Sequence, residues 1–211
     1  SGMWKSTDNG KTWIKTSKAK DLHSVSCLAQ DKRKGKENNW YYGTGEYWGN
    51  SAAITGDGIY KSNDNGSSWN VIPSTYKGTP NIWDQPFDYC WNIVVNPNAP
   101  LENDELLVAT SQFGILRTTD GGGKWITVLG SDSKASFSDI AVTSKGEFYA
   151  TISSEGQTKN KGIFRSLDGV KWYNITPPNF PKTYKRIVIG IAPSDESQVY
   201  FIGETPGYGK Q

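Results

Sequence analysis

The chain has 211 residues, and its 23 lysines and arginines against 21 aspartates and glutamates give a formal net charge of +2. This near-balance leaves no broad basic surface and argues against nucleic acid as a partner. A mean hydropathy of −0.61, with no long apolar run, argues against a membrane span. One histidine and two cysteines are too few for a site of several imidazoles or for a disulfide framework, so we expect no metal and no cofactor.

Glycine, proline and aromatic residues are unusually prominent. The chain contains 23 glycines, 10 prolines and 9 tryptophans, and aromatic residues make up 13% of it. Short segments rich in β-branched and aromatic residues are bounded by Gly, Pro, Asn and Asp, which is typical of strands joined by turns. No stretch has a sustained helical period. The sequence therefore predicts a turn-rich, all-β fold.

A segment that we call the box occurs four times along the chain. The boxes read GMWKSTDNGKTW at 2–13, GIYKSNDNGSSW at 58–69, GILRTTDGGGKW at 114–125 and GIFRSLDGVKW at 162–172. The Ser or Thr within each box recurs at intervals of 56, 56 and 48 residues. Such a period indicates one supersecondary unit per repeat.

Each box predicts a hairpin turn that is held by its own side chains. The Asp can accept backbone N–H groups, the Ser or Thr can cap the turn, the Gly can adopt positive φ, and the Trp can cover the turn. The residues in these four positions are Ser6, Asp8, Gly10 and Trp13; Ser62, Asp64, Gly66 and Trp69; Thr118, Asp120, Gly122 and Trp125; and Ser166, Asp168, Gly169 and Trp172.

A pair of apolar strands lies between successive boxes. The first strand of each pair is predicted within SVSCLAQD, WNIVVNP, FSDIAVTS and RIVIGIAP, and the second within NNWYYGTGE, DELLVATSQ, GEFYATISS and SQVYFIGET. One further strand enters each box and one leaves it, so a repeat supplies four antiparallel strands. A four-stranded sheet repeated every 40 to 50 residues or so (about the spacing seen here) is typical of a β-propeller blade.

The pattern Ser-x-Asp-x-Gly-x-x-Trp after Gly-Ile-Tyr/Phe-Lys/Arg resembles the Asp-box, or bacterial neuraminidase repeat. Such repeats occur in sialidases, xyloglucan-degrading glycosidases, sortilin-type receptors and large secreted bacterial surface proteins. YGTGE at 42–46 and GIFRS at 162–166 are most similar to the last group, the Bacteroidetes-type surface proteins. The resemblance implies an extracellular or cell-surface propeller whose box residues are structural and lie away from any active site.

The repeats divide the chain into units at about 1–20, 21–77, 78–132, 133–180 and 181–211, all within a single propeller domain or fragment. The first unit holds a box without a strand pair, and the last holds a strand pair without a box. Either the two join into one blade of a closed four-bladed ring, or the chain is part of a larger propeller with further blades in the parent chain. We favour the larger propeller, because Asp-box families usually have six or more blades and an open arc exposes strand edges.

Two loops depart from the repeat and form the candidate ligand-binding site. Their candidate residues are Glu46, Tyr47 and Trp48 in one loop and Trp83, Asp84, Asp88 and Trp91 in the other. Aromatic rings can stack on the C–H faces of a sugar while carboxylates accept its hydroxyl groups. Because propeller loops gather on one face of the ring, we expect the two loops to form one groove. The alternative is that the rings pack between neighbouring blades.

The favoured function is therefore a glycan- or protein-binding module, and the alternative is a glycoside hydrolase that acts on a polysaccharide. Hydrolysis needs two carboxylates about 5 to 10 Å apart across a cleft, and no such pair is identifiable in the sequence. At the strand-end position of Glu46 the other repeats have Gln112, Ser153 and Glu204, which favours a hydrogen-bonding role there. Sialidase activity is disfavoured, because the chain has four arginines and no Arg-Ile-Pro motif.

Cys27 and Cys90, in or beside predicted inner strands, are interpreted as buried free thiols.

Overall fold

A computed structural model describes residues 2–21, 24–45, 54–132, 134–156 and 158–207. These residues form sixteen strands: β1 (Trp4–Lys5), β2 (Ile14–Lys15), β3 (Val25–Gln30), β4 (Trp40–Thr44), β5 (Ile59–Ser62), β6 (Asn70–Val71), β7 (Cys90–Val95), β8 (Leu106–Thr110), β9 (Gly114–Thr118), β10 (Ile126–Leu129), β11 (Ser138–Val142), β12 (Phe148–Ile152), β13 (Gly162–Ser166), β14 (Tyr173–Asn174), β15 (Ile187–Ile191) and β16 (Val199–Gly203). Two single 3₁₀ turns, Pro73–Thr75 and Pro86–Asp88, are the helical elements among the described residues. The predicted all-β class is confirmed.

The strands form antiparallel sheets in chain order. Three sheets have four strands: β3 to β6, β7 to β10, and β11 to β14, which we call blades A, B and C. Two further sheets have two strands each, β1–β2 and β15–β16. Within the described residues these two sheets are not hydrogen-bonded to each other, whereas a closed four-bladed ring would require them to form one blade.

The first strands of successive sheets lie side by side. Strand β3 contacts β7, β7 contacts β11, and β11 contacts β15. Each later strand in a sheet is hydrogen-bonded to the strand before it, so the sheets extend outward from these inner strands like blades from an axis. This is the arrangement expected of a propeller.

The apolar core lies between blades, and strand β8 shows why its sequence is apolar throughout. All five of its residues are buried. Leu106 and Val108 belong to the cluster shared with blade A, whereas Leu107 and Ala109 belong to the cluster shared with blade C. Because successive side chains of a strand point to opposite faces, a strand between two blades must be apolar at every position.

The four boxes share one hydrogen-bond pattern. The Ser or Thr hydroxyl donates to the Asp Oδ1 at 2.7 to 3.0 Å. The same hydroxyl oxygen accepts the N–H of a box glycine, for example that of Gly66 at 2.8 Å. Gly66 has φ of +75°, a conformation that glycine adopts without strain. The box turns are therefore closed by contacts within about six residues.

Box tryptophans also join neighbouring sheets. The indole Nε1 of Trp69 donates to Thr16 Oγ1 of the preceding sheet at 3.0 Å, and that of Trp125 donates to Ser74 Oγ at 3.1 Å. Trp13, in the first box, instead donates to the carbonyl of Gly10 and is 59% exposed, whereas Trp69 is 3% exposed. One sequence motif thus gives a buried or an exposed ring according to the neighbouring sheet.

A buried charged cluster links the connection after β3 in blade A to the connection after β7 in blade B. Asp31 accepts two hydrogen bonds from Arg33, from Nε at 2.9 Å and from Nη2 at 2.6 Å. Arg33 Nη1 also donates to the carbonyls of Ala99 and Asn103 in blade B. Asp104 accepts a hydrogen bond from Lys61 Nζ at 2.5 Å. Burial alone would raise the pKa of Asp104, but Lys61 and Lys36 lower it below its ordinary value.

Candidate ligand-binding site

The segment 83–91 is organised around Asp88, the last residue of the 3₁₀ turn before β7. Asp88 Oδ2 accepts the backbone N–H groups of Asp84 at 2.8 Å and Gln85 at 2.9 Å, which caps the turn. Gln85 in turn donates to Asp57 Oδ1 at 3.0 Å. Asp88 is 1% exposed, and burial raises the pKa of its carboxyl group. The structure therefore places Asp88 beneath the surface, in contact with the chain itself.

The two candidate loops meet at the backbone of this turn. Gly45, the last described residue before one loop, lies so close to Asp88 that a Cβ on Gly45 would be 1.9 Å from the Asp88 carbonyl oxygen. Gly56, just beyond the other end of that loop, donates its N–H to the same carbonyl at 2.8 Å. Both described ends of the segment 46–53 therefore lie beside 83–91. The candidate residues Glu46, Tyr47 and Trp48 themselves lie outside the described residues.

Trp83 provides a partly exposed aromatic surface at this meeting point. It is 36% exposed and packs edge-on against Tyr89, with ring centroids 5.1 Å apart and planes at 88°. Tyr89 is buried, and its hydroxyl hydrogen-bonds with Thr55 Oγ1 at 3.0 Å. Asp84 is partly exposed next to Trp83 and pairs with Lys77 Nζ at 3.4 Å. The structure thus brings together an aromatic ring, a carboxylate and an ammonium group.

Trp91 is placed elsewhere, in the interface between blades B and C. Its indole Nε1 donates to the carbonyl of Ser136 at 2.8 Å, and its ring lies 5.2 Å from that of Phe137. The guanidinium of Arg186 lies 5.1 Å from the Trp91 ring centroid. This contact supports the expected alternative, packing between blades, for Trp91.

Asp139 is a buried carboxylate that the sequence analysis did not identify. It lies on β11 and accepts hydrogen bonds from Asn92 Nδ2 on β7 and from the N–H of Ile189 on β15, both at 2.9 Å. It therefore ties three inner strands together, and its burial raises its pKa. An acidic residue inside the apolar segment FSDIAV was the signal that could have revealed it.

Asp88 and Asp139 both have a raised pKa, which a general acid needs, but neither carboxyl group faces an open cleft. Asp88 is 1% and Asp139 8% exposed, and backbone N–H groups occupy oxygens of both. Both carboxyl groups therefore stabilise the fold, and among the described contacts they serve as caps and inter-strand links.

A cavity beside the inner strands β3, β7 and β11, which we call the axial cavity, is lined by different kinds of residue from the Trp83 surface. It has a volume of about 550 Å³ and is lined by inner-strand residues, including Gln30, Asn92, Val94 and Val142. No aromatic side chain of the described residues lines it. Because sugar rings are bound largely by aromatic stacking, the surface around Trp83 is the better candidate for a glycan.

No group of three His, Cys, Asp or Glu side chains in the described part of the chain is placed to hold a metal ion. Within the same residues, no helix is long and apolar enough to cross a bilayer.

Comparisons with known proteins relate the chain to glycoside hydrolases. It is 26% identical over 195 residues to the xyloglucanase Xgh74A of Acetivibrio thermocellus, an alignment that covers 82% of this chain and 22% of that enzyme. The chain thus spans about a fifth of the curated relative that it matches. No protein-family model matches the sequence.

Solved structures agree on the fold. An ancestral GH74 enzyme superposes with a TM-score of 0.61 at 19% identity, over 91% of this chain and 23% of that one. The GH74 enzyme of Niastella koreensis gives a TM-score of 0.50 at 15% identity, over 94% of this chain and 37% of that one. The chain has a β-propeller fold. The match to parts of longer chains is consistent with the predicted partial propeller.

Proposed function

We propose that this chain is a polysaccharide-binding part of an extracellular or cell-surface propeller, with a xyloglucan-type β-glucan as its ligand. The observation that carries the proposal is the 26% identity to a xyloglucanase over 82% of the chain, in a fold that superposes on GH74 enzymes. The partly exposed ring of Trp83, fixed by Tyr89, supplies the surface on which a sugar would stack.

The polar groups beside Trp83 suit a sugar better than an apolar ligand. Asp84 and Lys77 form a partly exposed pair whose oxygens and ammonium protons can exchange hydrogen bonds with hydroxyl groups. A stacked ring next to a few fixed polar groups is the usual composition of a carbohydrate site. A protein ligand is the competing occupant of this surface and forms one outcome of the test below.

Binding to xyloglucan is tested by titrating the chain with xyloglucan oligosaccharides in a calorimeter, with mannan oligosaccharides as the ligand control. Trp83→Ala should weaken binding about tenfold, since a planar base stacked on an aromatic side chain contributes about 1 to 3 kcal/mol and we expect a similar loss for a stacked sugar. The matched control is Tyr173→Ala, which removes an aromatic ring that is 52% exposed on β14. Equal affinity of the wild-type chain and Trp83→Ala, with both variants folded by circular dichroism, would refute the role of Trp83.

A glycoside hydrolase acting through a carboxylate pair is the second candidate, and the match to a xyloglucanase favours it. Asp88 and Asp139 hold hydrogen bonds within the fold, so we propose Glu46, which follows the described residue Gly45 in the sequence, as the acid to test first. Reducing ends released from xyloglucan would reveal hydrolysis. Activity in the wild-type chain that Glu46→Gln abolishes without loss of binding would establish catalysis, and binding without release of reducing ends would establish the binding module.

A further inference from the structure

The two cysteines lie on inner strands of neighbouring blades. Cys27 is the third residue of β3 in blade A, and Cys90 is the first residue of β7 in blade B. Strands β3 and β7 are in direct contact, and both residues pack with the apolar cluster shared by the two blades. Both are free thiols; Cys90 is buried and Cys27 is half-buried.

A glycine between them brings the two thiols together. Gly43 lies on β4 and is the cross-strand partner of Cys27. A Cβ built on Gly43 would lie 2.8 Å from Cys27 Sγ, 3.3 Å from Cys90 Sγ and 2.5 Å from Cys90 Cβ. The two sulfur atoms thus border the volume of one missing methyl group. The two sulfur atoms are therefore at most about 6 Å apart, and rotation of the two side chains can move them toward each other while the Cβ atoms stay fixed by β3 and β7.

We propose that Cys27 and Cys90 form a disulfide that covalently links blade A to blade B. The bond would add a covalent link between two repeats that are already held by apolar packing and by hydrogen bonds and ion pairs such as those of Arg33 and Asp104. It would keep the inner strands in register at the axis. This inference depends on the fold alone and is independent of the proposed glycan.

The reaction is a two-electron oxidation of two thiols by a low-molecular-weight disulfide such as oxidised glutathione. The Cys27 thiolate attacks one sulfur of oxidised glutathione, which forms a mixed disulfide and releases one glutathione thiolate. The Cys90 thiolate then attacks the Cys27 sulfur and displaces the second glutathione. Cys27 and Cys90 lose two protons and two electrons, and one oxidised glutathione becomes two reduced molecules.

The folded protein should react slowly, because both thiols are protonated at neutral pH. Burial raises the pKa of Cys27 to about 12 and raises that of Cys90 as well. Only the thiolate attacks a disulfide, so oxidation should be faster at higher pH or while the blades are still assembling. Refolding in a glutathione buffer is therefore the appropriate preparation.

The test refolds the wild-type chain in a mixture of oxidised and reduced glutathione, then alkylates remaining thiols and maps peptides by mass spectrometry. We expect a linked Cys27–Cys90 peptide, an intact mass lower by two hydrogen atoms, and no alkylation of either cysteine. Reduction should lower the melting temperature by roughly 5 to 10 °C, as a stabilising disulfide in a chain of this size predicts.

Controls separate the bond from other effects of the cysteines. Cys27→Ala should show the same melting temperature under oxidising and reducing conditions. A variant that misfolds leaves the wild-type peptide map as the deciding measurement. Quantitative alkylation of both cysteines after refolding with oxidised glutathione would overturn the proposal, whatever the outcome of the glycan-binding experiments.

Discussion

Replacement of Gly43 by alanine is the sharpest test of how blades A and B pack. The new Cβ would meet Cys90 Cβ at 2.5 Å and Cys27 Sγ at 2.8 Å. The sulfur can rotate away, but the Cys90 Cβ is fixed to the backbone of β7, so the two blades must move apart. Overpacking of this kind costs about 1 to 3 kcal/mol. Alanine also restricts the unfolded chain, which offsets about 0.5 to 1 kcal/mol of that cost.

The expected net loss is therefore about 0 to 2.5 kcal/mol, or up to roughly 10 °C in melting temperature for a chain of this length, and the difference from an alanine variant without the clash is the full cost of about 1 to 3 kcal/mol. The matched control is Gly190→Ala. Gly190 also lies in a strand, and a Cβ there would have no atom within 4 Å. Gly43 and Gly190 do not have positive φ, so alanine fits the backbone conformation at both positions. Gly190→Ala should be neutral or slightly stabilising.

Urea unfolding of the reduced chains, followed by tryptophan fluorescence, measures this difference. Reducing conditions remove any contribution of a disulfide. If Gly43→Ala is as stable as Gly190→Ala, the close approach of Cys90 to β4 is incorrect, and the packing between these blades must be redrawn.

Three further predictions concern the boxes and the buried ion pair. Trp69→Ala should lower the free energy of unfolding by about 3 to 5 kcal/mol because the ring is buried, whereas Trp13→Ala should cost less than about 1 kcal/mol. Asp31→Asn should cost about 3 to 5 kcal/mol, because it removes the carboxylate closest to the buried Arg33 guanidinium, whose contact with Asp104 is longer, at 3.4 Å. Hydrogen bonds from the side chain and backbone of Thr12 lower the pKa of Asp8 to about 2 from an ordinary 3.8. The stabilising contribution of Asp8 is therefore complete above about pH 4 and is lost as the pH falls through 2. Thr12→Val should raise the Asp8 pKa, measured by carboxyl NMR, and weaken this pH dependence.

Each of these predictions has a contrary result. Equal costs for the two tryptophan variants in urea unfolding would contradict the difference in burial. For the ion pair, the control is Glu147→Gln, since the pair of Glu147 with Arg165 is partly exposed and should contribute at most about 1 kcal/mol. A loss from Asp31→Asn as small as that control would show that Asp31 is not a buried partner. An unchanged Asp8 pKa in Thr12→Val would show that the Thr12 hydroxyl does not hold the carboxylate.

Much of the fold could be predicted from the sequence, because the interactions that specify it are local. Each box closes on itself through a hydroxyl, a carboxylate and a glycine within a few residues, so the pattern alone indicated the turn. The alternation of apolar strands and boxes similarly predicted the order of strands in each sheet, which the structure confirms. Gly45 and Gly56 lie beside the segment 83–91, but the groove expected between the two loops stays a prediction, because residues 46–53 lie outside the described residues.

Only the tertiary structure decided what each of these residues contacts. Trp13 and Trp69 occupy the same box position, yet one is exposed and the other buried, because burial depends on which sheet lies alongside. Asp88 resembled a ligand-binding acid in sequence, but its carboxylate caps a turn beneath the surface. The meeting of Cys27 and Cys90 at Gly43 could not be inferred from three positions on three strands. A repeat specifies its own turns and strands, whereas contacts across a blade interface depend on the relative placement of two sheets, which no local pattern encodes.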